Sequence, residues 1–169
     1  MAFQIGERVV YPNHGVGTVE NISSRTFGSR IERFYLLRLA GNSLTIMVPF
    51  SHVSDVGLRK VTRTSEIQRM LDFLAAGDCT RCTDWKDRFK DNSEKMRNGG
   101  LLDVADVMKG LIHQQTVKTL SFREKKMLDR ARHMLITEVS TSRNVSEERA
   151  VEILGKALAK CGLKLPEPL

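Results

Sequence analysis

No stretch of the 169 residues approaches the roughly eighteen consecutive apolar side chains that a membrane-spanning helix requires, and the first residues lack the basic-then-apolar pattern of a secretory signal. A cytosolic protein without membrane contact is expected. Cysteine is scarce as well: Cys79, Cys82 and Cys161 make an odd number, which argues against a disulfide framework. Cys79-Thr80-Arg81-Cys82 has the spacing of a redox motif or half a zinc site. It lacks the surrounding strand-helix pattern of the first and a second ligand pair for the other, since Cys161 and the four histidines are scattered. A thiol or metal protein built on Cys79 and Cys82 remains an alternative to two incidental loop cysteines. There is no nucleophile-base arrangement, phosphate-binding loop, internal repeat or low-complexity tract, so neither catalysis nor a cofactor is expected.

What the chain does have is cationic charge. Lys and Arg number 27 against 20 acidic residues, a net charge of +7, which suits a polyanionic partner but equally suits ordinary solubility. The 41% hydrophobic content is enough for one moderate core or two small ones. The distribution of residues suggests two. Up to about residue 60 the pattern is short β-rich runs between turn residues: Arg8 to Tyr11, Gly17 to Thr26, Ile31 to Leu39, Leu44 to Val48 and, less distinctly, Val53 to Leu58. Phe27-Gly28-Ser29-Arg30 and Ala40-Gly41-Asn42-Ser43 read as hairpin connections, and strands this close leave no room for crossover helices. A small antiparallel barrel of the SH3 or Tudor type is the natural closure.

Near Thr62-Arg63-Thr64-Ser65 the texture turns helical. Ile67, Met70, Leu71 and Leu74 recur at helical spacing up to Gly77. Further helices are predicted from Thr83 or Asp84 to Asn98, around Val104 to Ile112, from Ser121 past Val139, and from about Ser146 toward Gly162. Ser121 and Glu124 have capping-box spacing. The fold class is thus α+β: a barrel over 1–62, then a compact all-α unit of about five helices over 63–169, with 164–169 as a loose tail.

Two constellations stand out. Trp85, the single tryptophan, shares a helical stripe with Phe89 and Met96, beside Lys86, Arg88 and Lys90. Aromatic residues at this spacing are commonly core, yet an exposed tryptophan among cations is also a stacking or wedging group for nucleic acid. The fourth helix carries Arg123, Lys125, Lys126, Arg130 and Arg132 opposite its apolar face; a solvated face and a track for phosphates fit equally. No spacing predicts base-specific readout.

The opening Gly6-Glu7-Arg8-Val9-Val10-Tyr11-Pro12-Asn13-His14-Gly15-Val16-Gly17-Thr18-Val19-Glu20 resembles that of the CarD/CdnL family of bacterial transcription regulators. The resemblance continues through Leu44 to Pro49, Val56 to Arg59, Asp84-Trp85-Lys86, and Glu124 to Arg132, in the family's order. It implies a Tudor-like first domain that binds the RNA polymerase β subunit through an exposed strand edge, here with Arg25, Leu37, Met47 and Pro49. Some family members carry arginine at the position of Met47. It also implies a helical domain that contacts promoter DNA without sequence specificity at the upstream edge of the transcription bubble, with Trp85 as a minor-groove wedge. Lys86, Arg88, Lys90, Lys125, Lys126 and Arg130 would make phosphate or groove contacts. The implied protein is a monomeric, non-enzymatic stabiliser of open promoter complexes. An RNA-binding or ribosome-associated barrel-plus-helix protein is the alternative that charge and fold also allow.

Overall fold

The first two strands, β1 (Arg8–Tyr11) and β2 (Gly15–Phe27), run antiparallel, with Val9 opposite Gly17 and Tyr11 opposite Gly15. In the computed structural model, residues 2–12, 14–39, 44–76, 85–98 and 100–168 are described, with the side chains of Trp85, Lys86 and Asp87 outside the described residues. β3 (Arg30–Leu39) pairs with β2 along a long hairpin closed by Gly28-Ser29, and β4 (Thr45–Pro49) pairs with β3. β5 (Arg59–Lys60) returns to β1, which gives the order β4-β3-β2-β1-β5 and leaves β4 and β5 as the edges. Alternation places Val9, Val19, Tyr35, Leu37 and Val48 on the inner face with Phe3 and Leu58. Tyr35 organises this core: its hydroxyl accepts the Phe3 amide at 3.0 Å, and Phe50 stacks on its ring at 4.2 Å.

The segment read as a fifth strand, Val53 to Leu58, is instead a helical turn, α1 (Val53–Val56), and the fifth strand comes after it. Gly57 decides this, because it ends the turn in the left-handed region at φ +77°, which β-branched Val53 and Val56 do not reveal.

Five longer helices follow among the described residues: α2 (Thr64–Ala75), α3 (Trp85–Asn98), α4 (Leu101–Val117), α5 (Phe122–Arg143) and α6 (Glu147–Ala159). The α+β architecture is therefore the one the sequence predicts. The helices share a core separate from that of the barrel, centred on Ile67, Met70, Met108, Leu111, Leu135 and Leu154. Buried Lys109 reaches from α4 to the end of α2, where its ammonium donates to the carbonyls of Phe73 at 2.7 Å and Ala76 at 2.5 Å. It thereby satisfies orphan helix-end acceptors with a cation at the negative end of the dipole. Part of the segment expected as a loose tail, 164–169, is held: Leu165 packs on the helical core, and Arg132 Nε donates to the Pro166 carbonyl at 2.8 Å. No helix among the described residues is long and apolar enough to cross a membrane.

α5 starts as its sequence predicts. The Ser121 side chain accepts from the Glu124 amide at 3.3 Å, and the Glu124 carboxylate accepts in return from the Ser121 amide at 3.4 Å. Ser121→Ala is expected to lower stability by about 1 kcal/mol in denaturant unfolding; an unchanged midpoint would show that the cap contributes nothing.

α5 also joins the two units. Gly15, at φ +96°, brings the β1–β2 turn so close to the helix that an added Cβ would lie 3.4 Å from Thr137 Oγ1. Glu138 of α5, buried at 3% exposure, accepts from Arg59 Nη1 and Nη2 at 2.8 and 2.7 Å and from the Thr62 amide at 2.9 Å. It accepts the Thr62 hydroxyl as well, and Ser142 Oγ donates to the Thr62 carbonyl at 2.5 Å.

Candidate functional site

Two surfaces carry the residues singled out from the sequence. On the barrel, β4 is an edge strand with β3 as its one sheet neighbour among the described residues, and an edge strand carries backbone donors and acceptors suited to pairing with another chain. Met47 points outward from it, 36% exposed, while Val48 on the opposite face is buried. Paired residues share a face, so the register sets Met47 beside Leu36, Pro49 beside Phe34, and Arg25 beside Glu32 on that same outer face. Arg25, Met47 and Pro49 thus share one face, with Arg25 on β2 set apart from the β4 edge by β3. Leu37 is not: it is fully buried on the inner face, so its side chain has no access to a partner. The period-two pattern of β3 contains the correction, since Tyr35, Leu37 and Leu39 face inward and Phe34, Leu36 and Arg38 outward. Leu36 is the leucine adjacent to Met47. The resulting patch is apolar at Met47, Leu36, Pro49 and Phe34, with the Arg38 guanidinium at its margin held by Glu20 at 2.9 Å.

On the helical unit, α3 and α5 flank a groove of about 340 Å³ with an apolar floor of Phe89, Met96 and Met127. Arg97 of α3 and Arg123, Lys126 and Arg130 of α5 surround it. Arg123 lies over the Phe89 ring with its guanidinium carbon 4.0 Å from the centroid, and Lys126 lies over exposed Phe122 at 4.7 Å. Spacings of three and four residues place Arg123, Lys126 and Arg130 along one side of α5. No carboxylate lines this groove among the described residues, which leaves its field positive.

The remaining cations do not all join it. Arg88 is turned toward the α5 cap, 3.5 Å from the Glu124 carboxylate, with its side chain one-quarter exposed; it ties α3 to α5 and is withdrawn from the groove. Glu124 also accepts Gln114 Nε2 at 3.1 Å, so the cap, Arg88 and α4 meet at one buried carboxylate. Lys125 is half-buried on a different side of α5, in a cleft shared with Asp129, Pro166 and Glu167. Lys90 is exposed on α3 outside the groove lining. Trp85 heads α3 and Lys86 follows it, with their side chains outside the described residues. Cys79 and Cys82 lie outside the described residues altogether, and among those described no group of three or more His, Cys, Asp or Glu is placed to hold a metal. Arg97 and Arg123 were not among the predicted contacts, although Arg123 stands in the basic stripe; Arg97 shares the α3 face of Phe89 and Ser93 at spacings of eight and four residues.

The two units adjoin through the β1–β2 turn, where His14 approaches Arg130 of α5. Burial, and secondarily the Arg130 guanidinium, push the His14 imidazole below its ordinary value, which favours a neutral ring beside the cationic helix.

Residues 3–62 match the family described as the CarD-like/TRCF RID domain, and residues 69–155 match the CarD C-terminal domain. The chain belongs to the CarD/CdnL family. Its similarity to the putative transcription factor YdeB of Bacillus subtilis (strain 168) is 32% identity over 147 residues, which covers 87% of this chain and 96% of that relative. The first match spans the sheet with its Met47 edge, and the second spans α3 through α5 with the cationic groove. This chain is thus a member of a CarD-like transcription factor family, matched to it in both of its parts.

Proposed function

We propose that residues 1–62 form a polymerase-interaction unit and residues 63–169 a DNA-binding unit, and that the monomeric protein bridges the two in the cytoplasm to stabilise the open promoter complex. The β4 edge and the apolar patch around Met47 dock on the RNA polymerase β subunit, with Leu36 in the place first given to Leu37. Backbone pairing along the edge contributes affinity, and the adaptable Met47 side chain contributes fit. The α3–α5 groove, with Arg123, Lys126 and Arg130, follows the phosphate backbone at the upstream edge of the bubble without reading bases. Lys90 and Lys86 extend the cationic track along α3. Trp85, at the head of that helix, wedges into the minor groove. A wedge that favours partly unstacked DNA over intact duplex shifts closed complexes toward open ones, and tethering to polymerase lets a weak, non-specific module act at a defined place.

The observation that carries this reading is the separation of the two surfaces: an apolar, strand-edged patch on one core and, on the other, a cationic groove lined by no carboxylate among the described residues. Co-purification with polymerase rather than co-sedimentation with ribosomes separates it from the RNA-binding alternative. For the groove, neutralising Arg123, Lys126 and Arg130 together is expected to weaken binding to unrelated duplexes uniformly. The slope of log affinity against log salt should become shallower by about 2 to 3 units, as for three lost phosphate contacts. An unaltered slope would move the DNA contact elsewhere.

A further inference from the structure

We propose that Glu138 is a positioning residue: by gathering Arg59 and Thr62 onto α5, it fixes the reach between the polymerase-docking edge and the DNA-facing groove while touching neither partner. The inference rests on the bridging function proposed above and concerns how one chain holds both contacts in register.

The barrel and the helices have separate apolar cores, so neither core by itself fixes the angle between them. Directional polar bonds cross the boundary beside the close approach of the β1–β2 turn to α5. Glu138 is buried, and each hydrogen bond described for its carboxylate comes from the barrel end of the chain: two from the Arg59 fork, one from the Thr62 amide and one from the Thr62 hydroxyl. A planar guanidinium bound at both nitrogens fixes direction as well as distance. Ser142, one turn further along α5, grips the Thr62 carbonyl at 2.5 Å, so the linker is held from both sides of its peptide chain. The helix held in this way is the one that carries the groove: Arg130 precedes Glu138 by eight residues, about 12 Å along the axis at 1.5 Å per residue.

Loss of Arg59 from this clamp would leave the buried Glu138 carboxylate without its guanidinium partner. With two independent cores, parting of the units to admit water is a lower-cost response than unfolding of either. Two-site attachment depends on span: the second contact becomes effectively intramolecular only when the geometry lets both engage together. A loosened hinge therefore leaves each separate affinity intact and reduces the combined effect.

The test uses the full-length protein with Glu138→Gln. Affinity for polymerase without DNA, and for free duplex without polymerase, should each stay within about twofold of wild type, while the protein-dependent extension of open-complex lifetime falls about tenfold. Spin labels at Ser24 and Lys156, in a background lacking the native cysteines, should show a broadened distance distribution. Arg59→Lys, which keeps the charge but not the fork, should fall between wild type and Glu138→Gln in both readouts. If Glu138→Gln unfolds, Arg59→Lys and Thr62→Val carry the same comparison. A wild-type lifetime despite a broadened distribution overturns the proposal, and so does an unbroadened distribution. If wild-type protein itself fails to extend lifetimes, the bridging function fails, and the distance measurement on free protein still decides whether Glu138 fixes the two units.

Discussion

Met47→Glu is expected to abolish co-purification with RNA polymerase while leaving affinity for free DNA unchanged. Met47 lies on the outer face of the β4 edge beside Leu36, where docking of a partner strand would remove it from water. A carboxylate at that place would be buried without a cation of its own, since Arg38 is already paired with Glu20 across the neighbouring strands. Burying an unpaired charge costs about 3–5 kcal/mol, so affinity should fall by more than about a hundredfold. Stability should hardly change, because the side chain is solvated in the free protein and contributes nothing to the Tyr35-centred core. The surface proposed to bind DNA is on another unit, so a mobility-shift assay serves as the internal control. Persistence of polymerase binding would remove the β4 edge from the interface. Leu36→Glu is the companion variant, and its effect distinguishes the outer face from the strand edge alone.

Trp85→Ala has the second-largest expected effect, and its sign depends on what the tryptophan does. A wedge or stacking platform contributes about 1–3 kcal/mol per base, so its removal should shorten the protein-dependent open-complex lifetime by about tenfold, with polymerase binding and the thermal midpoint unchanged. A core tryptophan gives the reverse pattern: truncation would cost about 3–5 kcal/mol of stability and lower every activity together. Thermal unfolding measured beside the lifetime therefore discriminates the two. The place of Trp85 at the start of α3, one turn before Arg88 and Phe89, keeps it near the cationic groove in sequence.

The sequence disclosed what depends on local pattern. Alternation located β1 through β4, helical spacing located α2 to α6, and Ser121 with Glu124 announced the α5 cap. Beyond the turn at Gly57, several of its failures come from dependence on partners far along the chain. Leu36 and Leu37 are both plausible strand residues, and the burial of Tyr35, Leu37 and Leu39 assigns the inner face to Leu37. Arg88 reads as a free cation until Glu124, thirty-six residues away, turns it toward the cap. Lys125 reads as part of the α5 stripe, but adjacent helical residues are about 100° apart, and its side of the helix faces the C-terminal segment. Lys109, Glu124 and Glu138 are charged residues that pattern alone would put in solvent; each is buried because distant donors or acceptors satisfy it. The site was legible as charge and aromatic content, while the division of cations between groove and scaffold required the fold.

The bridging account is tested most directly by the lifetime of promoter open complexes formed with cognate polymerase, measured with and without this protein on several promoters. The account predicts a longer lifetime that is lost with either Met47→Glu or Trp85→Ala. An unchanged lifetime on every promoter, with the protein demonstrably bound to polymerase, would contradict it.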